Sequence, residues 1–566
     1  MVRNRRLPSV MSHSFAQVPS ARIQRSSFDR SCGLKTTFDA GYLIPIFCDE
    51  VLPGDTFSLK EAFLARMATP IFPLMDNLRL DTQYFFVPLR LIWSNFQKFC
   101  GEQDNPDDST DFLTPILTAP QDGGFAEGSI HDYLGLPTKV AGVQCVAFWH
   151  RAYNLIWNQY YRDENIQDSV EVQMGDTTTD EVKNYTLLKR GKRYDYFTSC
   201  LPWPQKGPAV TIGVGGKAPI EGLYLTLNPQ NPAGKFVLDP QTTPRVLQDL
   251  QGNKVSGIVG YNQSGKHVYA SSGFSIVTPQ PEPAATINNG YYYTTQKPQV
   301  YADLGATSPV TINSLREAFQ LQKLYERDAR GGTRYIEIIR SHFNVQSPDA
   351  RLQRAEYLGG SSTPVNISPI PQTSSTDSTS PQGNLAAYGT AIGSKRVFTK
   401  SFTEHGVILG LASVRADLNY QQGLDRMWSR RTRWDFYWPA LSHLGEQAVL
   451  NKEIYCQGPS VKDSGGEIVD DQVFGYQERF AEYRYKTSKI TGKFRSNATS
   501  SLDSWHLAQE FENLPTLSPE FIEENPPMDR VLAVSTEPDF LLDGWFSLRC
   551  ARPMPVYSVP GLIDHF

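Results

Sequence analysis

The stretch "LRLDTQYFFVPLR" (residues 78–90) decides the class of fold. Leu78, Leu80, Thr82, Tyr84 and Phe86 fall on one face of an extended chain, and the more polar Arg79, Asp81 and Gln83 fall on the other. Alternation of this kind marks a half-buried β-strand, because successive side chains of a strand point to opposite sides. The same texture continues outward along the chain. "TTFDAGYLIPIF" (36–47) and "SFTEHGVILGLASVRADLNY" (401–420) read as strands, the second of them buried, and "YQERFAEYRYKTSKITGKF" (476–494) reads as a strand pair. Composition agrees, since the 566 residues include 30 Phe, 27 Tyr, 42 Gly and 39 Pro. Aromatics favour pleated surfaces, and frequent Gly and Pro punctuate short strands. The expectation is an all-β protein with long loops.

A few segments depart from that texture. "FWHRAYNLIWNQYYRDEN" (148–165) places Phe148, Ala152, Leu155, Ile156 and Tyr160 at helical spacing. "INSLREAFQLQKLYERDA" (312–329) is a second helix, with Ser314 and Glu317 as a capping box. Residues 207–298 hold 12 Gly and 10 Pro in 92 positions, about twice average usage. They read as a loop-rich inserted module with short β-like pieces. "SSTPVNISPIPQTSSTDSTSPQGN" (361–384) reads as a loop, and the proline-rich "RPMPVYSVPGLIDHF" (552–566) as an extended end.

Charge is mild overall but uneven. The formal net charge is −5. Residues 1–30 carry Arg3, Arg5, Arg6, Arg22, Arg25 and Arg30 against Asp29 alone, so that arm is +5 and the remainder −10 (−5 minus +5). A basic arm on an acidic body fits a polyanion-facing end, and fits a solvated tail equally well. "MVRNRRLPSV" has no apolar run behind its arginines and is not expected to be a secretory signal. The longest apolar run, "VILGLASV" (407–414), is far short of the roughly 20 residues that span a bilayer. The seven cysteines are scattered, with no C-x-x-C, as expected of reduced thiols rather than a disulfide or zinc framework.

Catalytic motifs test poorly. "GYNQSGKH" (260–267) has P-loop glycine and lysine spacing, but His267 stands where Ser or Thr must hold magnesium, and the sequence after it is β-like. In "LYERDARGGTRYIEIIRSHF" (324–343), Gly331-Gly332 between arginines resembles a phosphate cradle, yet glycine also ends one helix before the next begins. Arg327, Arg330 and Arg334 there fit a contact with another subunit better than catalysis. No G-x-S-x-G or H-E-x-x-H occurs. The carboxylates of "EFIEENPPMD" (520–529) fit an acidic loop better than a glycosidase pair. The strongest constellation is "RMWSRRTRWDFYWPAL" (426–441), where Arg430, Arg431 and Arg433 interleave with Trp434 and its aromatic neighbours. Such a run can stack unpaired bases and neutralise phosphates, or anchor an interface between subunits, and the second reading is favoured. Tyr291, Tyr292 and Tyr293 cannot all be buried on one strand face, so they are candidate surface residues.

These runs, together with "ATPIFPLMDNLRLDTQYFFVPLRLIWSNFQKFCGEQ" (68–103), "RYDYFTSCLPWPQKG" (193–207) and "ERDARGGTRYIEIIRSHFNVQSPDARLQRAEYLGG" (326–360), carry a family resemblance. The chain resembles, over nearly its whole length, the major capsid proteins of the microviruses, small single-stranded DNA bacteriophages, in their gokushovirus branch. The resemblance implies an eight-stranded antiparallel jelly roll with long loop insertions and a few helices. It implies a T=1 icosahedral shell of sixty copies, organised through pentamers, around a circular single-stranded genome. The implied layout is a basic arm (1–30), the first part of the jelly roll (31–206), an inserted protrusion at the three-fold axes for host attachment (207–300), and the remainder of the jelly roll (301–566). The implied partners are an internal scaffolding protein, a small basic DNA-packaging protein, a pilot protein and a host receptor. Assembly is expected in the host bacterial cytoplasm, with no cofactor and no catalysis. The residues alone leave one competing expectation, an extracellular β-rich carbohydrate-active enzyme.

Overall fold

The computed structural model describes residues 24–176, 180–208, 210, 312–332, 335–345, 353–374, 376 and 381–557, together with the backbone of six short strands between 217 and 303. The chain divides into two compact units, Met1–Lys206 with Glu326–Phe566, and Gly207–Tyr325.

Ten strands form the two large sheets of the first unit: β1 (Ser26–Asp29), β2 (Cys32–Phe38), β3 (Ile44–Val51), β4 (Thr56–Met67), β5 (Leu78–Pro88), β6 (Glu356–Pro364), β7 (Asn366–Pro371), β8 (Leu385–Ser401), β9 (Gly406–Ala416) and β10 (Phe540–Arg552). One antiparallel sheet runs β1–β10–β4–β8–β7, with β2 continuing β1 along β10. The other runs β6–β5–β9–β3. Their facing sides close one hydrophobic core, in which Phe57, Leu59, Phe398 and Phe546 meet Ile44, Leu80, Tyr84, Phe86 and Val414. Glu61 of β4 is buried in this core and accepts hydrogen bonds from Tyr84 Oη (2.8 Å), Thr82 Oγ1 (2.9 Å) and Ser361 Oγ (2.6 Å). A buried carboxylate is costly without donors, so these three bonds from the opposite sheet make it a fastener between the layers.

The second sheet departs from the half-buried expectation. β5 and β9 are buried on both faces. The cause is a second core, in which Phe85, Val87, Leu409 and Leu411 pack outward against Trp93, Ala152, Tyr153 and Ile156. Asp81, expected to face water, is instead clasped by Arg190 (2.9 Å) and Arg415 (2.8 Å). Helices α1 (Ile130–Tyr133) and α2 (Phe148–Ile156) belong to this outer layer. The helix expected over 148–165 is shorter, because a wider turn over Trp157–Tyr161 replaces it. That turn lets Trp157 Nε1 donate to Lys189 O (2.9 Å) and Tyr161 reach Gln83. Arg151 of α2 is fully buried. Its guanidinium donates to Asp180 Oδ2 (2.8 Å) and Oδ1 (2.7 Å), Ile92 O (3.0 Å) and Gly175 O (3.2 Å).

Two other expectations are corrected. The loop read over 361–384 begins only after Pro371, because β6 and β7 continue through it. Pro369 and Pro371 fit there since β7 is an edge strand bonded to β8 alone, where a missing N–H costs little. The strand pair read over 476–494 is one strand, Val473–Glu478, paired with Glu446–Leu450. It ends at Glu478, and the left-handed backbone of Phe480 (φ 61) then turns the chain before the two-residue strand Ser488–Lys489.

Among its described residues the second unit contains three antiparallel pairs: Leu223–Asn228 with Asn231–Leu238, Ile258–Tyr261 with His267–Tyr269, and Lys217–Pro219 with Tyr301–Asp303. The P-loop-like run thus lies between two paired strands and leads directly into the strand His267–Tyr269, where a phosphate-binding loop would lead into a helix. Helix α3 (Ile312–Gly331) ends as its glycines require, with Gly332 at φ 93, a conformation costly for any residue with a Cβ; α4 (Tyr335–Phe343) follows. The side chain of Ser314 lies outside the described residues.

The outer layer contains a buried histidine pair. His131 Nδ1 and His150 Nε2 lie 2.9 Å apart, both buried, with Phe125 stacked on His131. Burial holds His131 down to about 4, and burial together with His131 holds His150 down to about 3, against roughly 6.5 in an unfolded chain. Folded pKa values below the unfolded one mean that this contribution is present above about pH 6.5 and lost as pH falls through the folded values. Thermal melting of His150→Asn subunits is expected to fall less steeply than wild type between pH 6.5 and 4. Parallel slopes would rule the pair out as an acid-labile contact.

Candidate assembly surface

Residues 426–441 follow β9 with little regular structure. A short helix, Arg426–Ser429, leads to a turn in which Asp435 Oδ2 accepts from Thr432 N (2.7 Å), Arg431 N (2.9 Å) and Thr432 Oγ1 (3.0 Å). Those donors, the Thr432 and Arg431 amides foremost, hold the Asp435 carboxyl below its ordinary value. Trp438 Nε1 donates to Arg433 O (2.9 Å), closing the loop on itself.

Two of the arginines, Arg426 and Arg430, serve as internal struts. Arg426 Nη1 reaches Glu453 Oε1 (3.1 Å) and Ala448 O (2.7 Å). Arg430 Nη2 donates to Glu482 Oε1 (3.1 Å) while its guanidinium lies over the Tyr483 ring (4.2 Å) and near Phe436 (5.6 Å). Arg433 covers Trp434 at 4.1 Å, and Arg431 is exposed. With the cations so engaged, the aromatics are left outward. Trp428 is 69% exposed, and Trp434, Phe436, Tyr437 and Trp438 are each about half exposed, as are Tyr483 and Tyr485 beside them. Every residue from 431 to 440 is exposed. Scattered surface apolar residues are ordinary, but a contiguous aromatic patch held by a rigid frame marks a recognition surface.

The helical corner attaches to the same strand pair. Arg330 Nε donates to Glu446 Oε1 (3.1 Å), and a second guanidinium nitrogen engages Glu446 Oε2. Arg327 is exposed on α3. Glu446 lies on the ladder Glu446–Leu450 against Val473–Glu478, and Glu482 accepts from Gln447 Nε2 of the same strand (2.7 Å), so both arginine-rich segments are tied to one strand pair. Sequence reading missed these acids and the tyrosines beside them. The available signal was "YQERFAEYRY", a mixed Glu/Arg/Tyr run of the composition seen at 426–441. Of the arm arginines, Arg25 and Arg30 are described: Arg25 is exposed and its Nη2 donates to Thr56 Oγ1 (2.8 Å), whereas Arg30 Nη1 is paired with Asp49 Oδ2 (2.6 Å) of its own chain. Arg3, Arg5, Arg6, Arg22, Arg334, Tyr291, Tyr292 and Tyr293 lie outside the described residues. The acidic loop at 520–529 does not assemble a glycosidase pair around Glu524. That side chain is buried, accepts from Ala416 N (3.1 Å), and has its carboxyl raised by burial.

Sheets and patch together define a β-sandwich subunit with few helices and an uncovered aromatic surface. Comparison with known proteins identifies its kind. The family model of the phage capsid protein (F protein) matches residues 16–562. The capsid protein VP1 of Chlamydia phage 1 is 50% identical over 596 aligned residues, covering 99% of this chain and 100% of that protein. Capsid protein VP1 of Bdellovibrio phage phiMH2K is 47% identical, covering 98% of each, and that of Spiroplasma virus 4 is 36% identical, covering 97% of each. The chain belongs to the phage capsid protein (F protein) family. It is a structural major capsid protein of the virion and not an enzyme, in keeping with the resemblance to microvirus capsid proteins. The carbohydrate-active alternative is thereby set aside.

Proposed function

We propose that sixty copies of this chain close a T=1 icosahedral shell around a circular single-stranded DNA genome, each copy contributing an eight-stranded jelly roll. Strand order is the observation that carries this reading. Counting β1 with β2 as one strand, and leaving β7 aside as an extension of β6, the sheets run first–eighth–third–sixth and second–seventh–fourth–fifth. Consecutive strands mostly alternate between layers, as in nested Greek keys. The exposed patch at 431–440 supplies the surface that neighbouring copies would cover.

In this reading Arg327, Arg330, Arg334, Arg430, Arg431, Arg433 and Trp434 lie at or frame contacts between copies. The basic arm, with Arg3, Arg5, Arg6, Arg22 and Arg25, faces the genome. Residues 207–300 form the three-fold protrusion, and Tyr291, Tyr292 and Tyr293 meet the host receptor. A scaffolding protein, a small basic packaging protein and a pilot protein complete assembly in the host bacterial cytoplasm. Cryo-electron microscopy of particles tests this directly, with sixty jelly rolls per shell expected. Deleting 207–300 is expected to leave subunits that fold and assemble but attach poorly to cells. Loss of assembly by folded deletion subunits would make that module a clamp instead, and a shell of another symmetry would overturn the T=1 reading.

A further inference from the structure

The β1–β10–β4–β8 sheet has a second face, turned away from the core, and its side chains are sorted. Arg25, Lys35, Lys60, Arg66, Arg396 and Arg549 all lie on it or at its rim, exposed. Two carboxylates share that face. Asp543 is paired with Lys35 (3.0 Å), and Asp29 sits opposite Arg549 in the ladder. Among the described residues, Lys60, Arg66 and Arg396 have no ion-pair partner. A chain of net charge −5 thus concentrates unopposed cations on one sheet face.

Between those cations the same face presents apolar groups to solvent. Trp545 is 55% exposed and its ring lies over Gly33, at 3.4 Å from where a Cβ would stand. Leu64 and Ile392 stand in one cross-strand row, with Leu541 beside them. The sheet register places the Ser547–Lys60–Arg396 row on one side of the Trp545–Ala62–Ser394 row, and the Leu541–Arg66 row two rows beyond on the other. Cations alone would fit any polyanion. Cations spaced around an exposed indole and aliphatic rows fit a polyanion whose own apolar faces are unpaired, and single-stranded nucleic acid has that chemistry. A duplex hides its base faces in the stack and offers nothing to Trp545. The chain enters this surface at Arg25, which anchors on Thr56 just before β1.

We propose that this outward face of the β1–β10–β4–β8 sheet is a binding platform for single-stranded DNA, with Trp545 stacking bases and Lys60, Arg66 and Arg396 neutralising phosphates. The proposal deepens the shell reading by naming the surface turned to the genome, and it rests on that reading for the identity of the strand.

The test uses full-length, unassembled subunits and a fluorescein-labelled oligo-dT of about 20 nucleotides, with anisotropy read across a salt series. The combined Lys60→Gln, Arg66→Gln, Arg396→Gln variant is expected to lower the slope of log affinity against log salt by about 2, at about 0.7 per phosphate contact on a single strand. Trp545→Leu is expected to weaken binding by about fivefold or more with the slope unchanged. It should leave binding of a duplex of equal length unaltered. Should the triple variant fail to fold, Trp545→Leu and Lys60→Gln alone carry the test. Unchanged affinity and slope in the face variants, with loss only when Arg3, Arg5 and Arg6 are neutralised, would overturn the platform and leave the arm as the contact. Normal DNA binding with failed assembly would also overturn it, assigning the face to a second copy. Wild-type subunits that form particles yet bind no oligonucleotide would sink the platform while the shell reading stands; absence of particles would sink the shell reading itself.

Discussion

Arg151→Met is expected to destabilise the subunit by about 3–5 kcal/mol, the cost of stranding a buried charge. Arg151 and Asp180 have fully buried side chains and exchange two hydrogen bonds. Tyr185 Oη adds a third donor to Asp180 (2.6 Å), and Arg151 also holds the carbonyls of Ile92 and Gly175. Methionine roughly keeps the apolar volume and removes the guanidinium, so Asp180 would lose its counter-charge while the two carbonyls lose a donor. Against a typical total of 5–15 kcal/mol, that is a large fraction of the fold's stability. The double variant Arg151→Met with Asp180→Leu should recover part of the loss, because no uncompensated charge remains. Urea unfolding of unassembled subunits provides the measurement. A single-variant cost below about 1 kcal/mol would show that the pair is not the clasp described here.

That pair also shows where sequence reading stops. Period-two alternation in 78–90 located β5 and its core face correctly, because Leu78, Leu80, Tyr84 and Phe86 do line the sandwich core. It assigned the other face to solvent, since nothing local says that residues 148–157 fold back over it. Arg151 sat unremarked within a helical pattern, because its partner lies 29 positions away. Thr82 shows the same limit at smaller scale. It read as the odd polar member of an apolar face, and Glu61 of another strand explains it. The glycine stop at 331–332 was legible because it is a local backbone requirement. The two-residue strand at Ser488–Lys489 was not, because its only ladder partner is the distant Asn419–Tyr420.

The aromatic surface was legible in composition, but its frame was not. The run 426–441 announced Trp and Arg together, whereas the acids that hold it from outside are Glu453 and Glu482. This division of roles sets the expected result for Trp434→Ala. Trp434 is 51% exposed, and its ring is covered on one side by Arg433 of its own chain. Truncating it therefore removes little buried area from the isolated subunit, and the folding cost should stay below about 1 kcal/mol, as for ordinary surface changes. If a neighbouring copy covers this patch, the same truncation removes an interface anchor, worth about 2 kcal/mol or more where it is fully desolvated. At tenfold per 1.4 kcal/mol, each contact weakens by about 30-fold. A closed shell repeats the contact around every subunit, so the subunit concentration needed for assembly should rise by at least that factor. Arg430→Ala should behave differently. It releases Glu482 and the Tyr483 stack, loosening the frame, so both folding and assembly should suffer. Light scattering of assembly beside urea unfolding of the two variants separates the cases. Normal assembly by Trp434→Ala at wild-type concentrations would remove Trp434 from the contact, and a folding loss equal to that of Arg430→Ala would make the aromatic run part of the subunit's own packing.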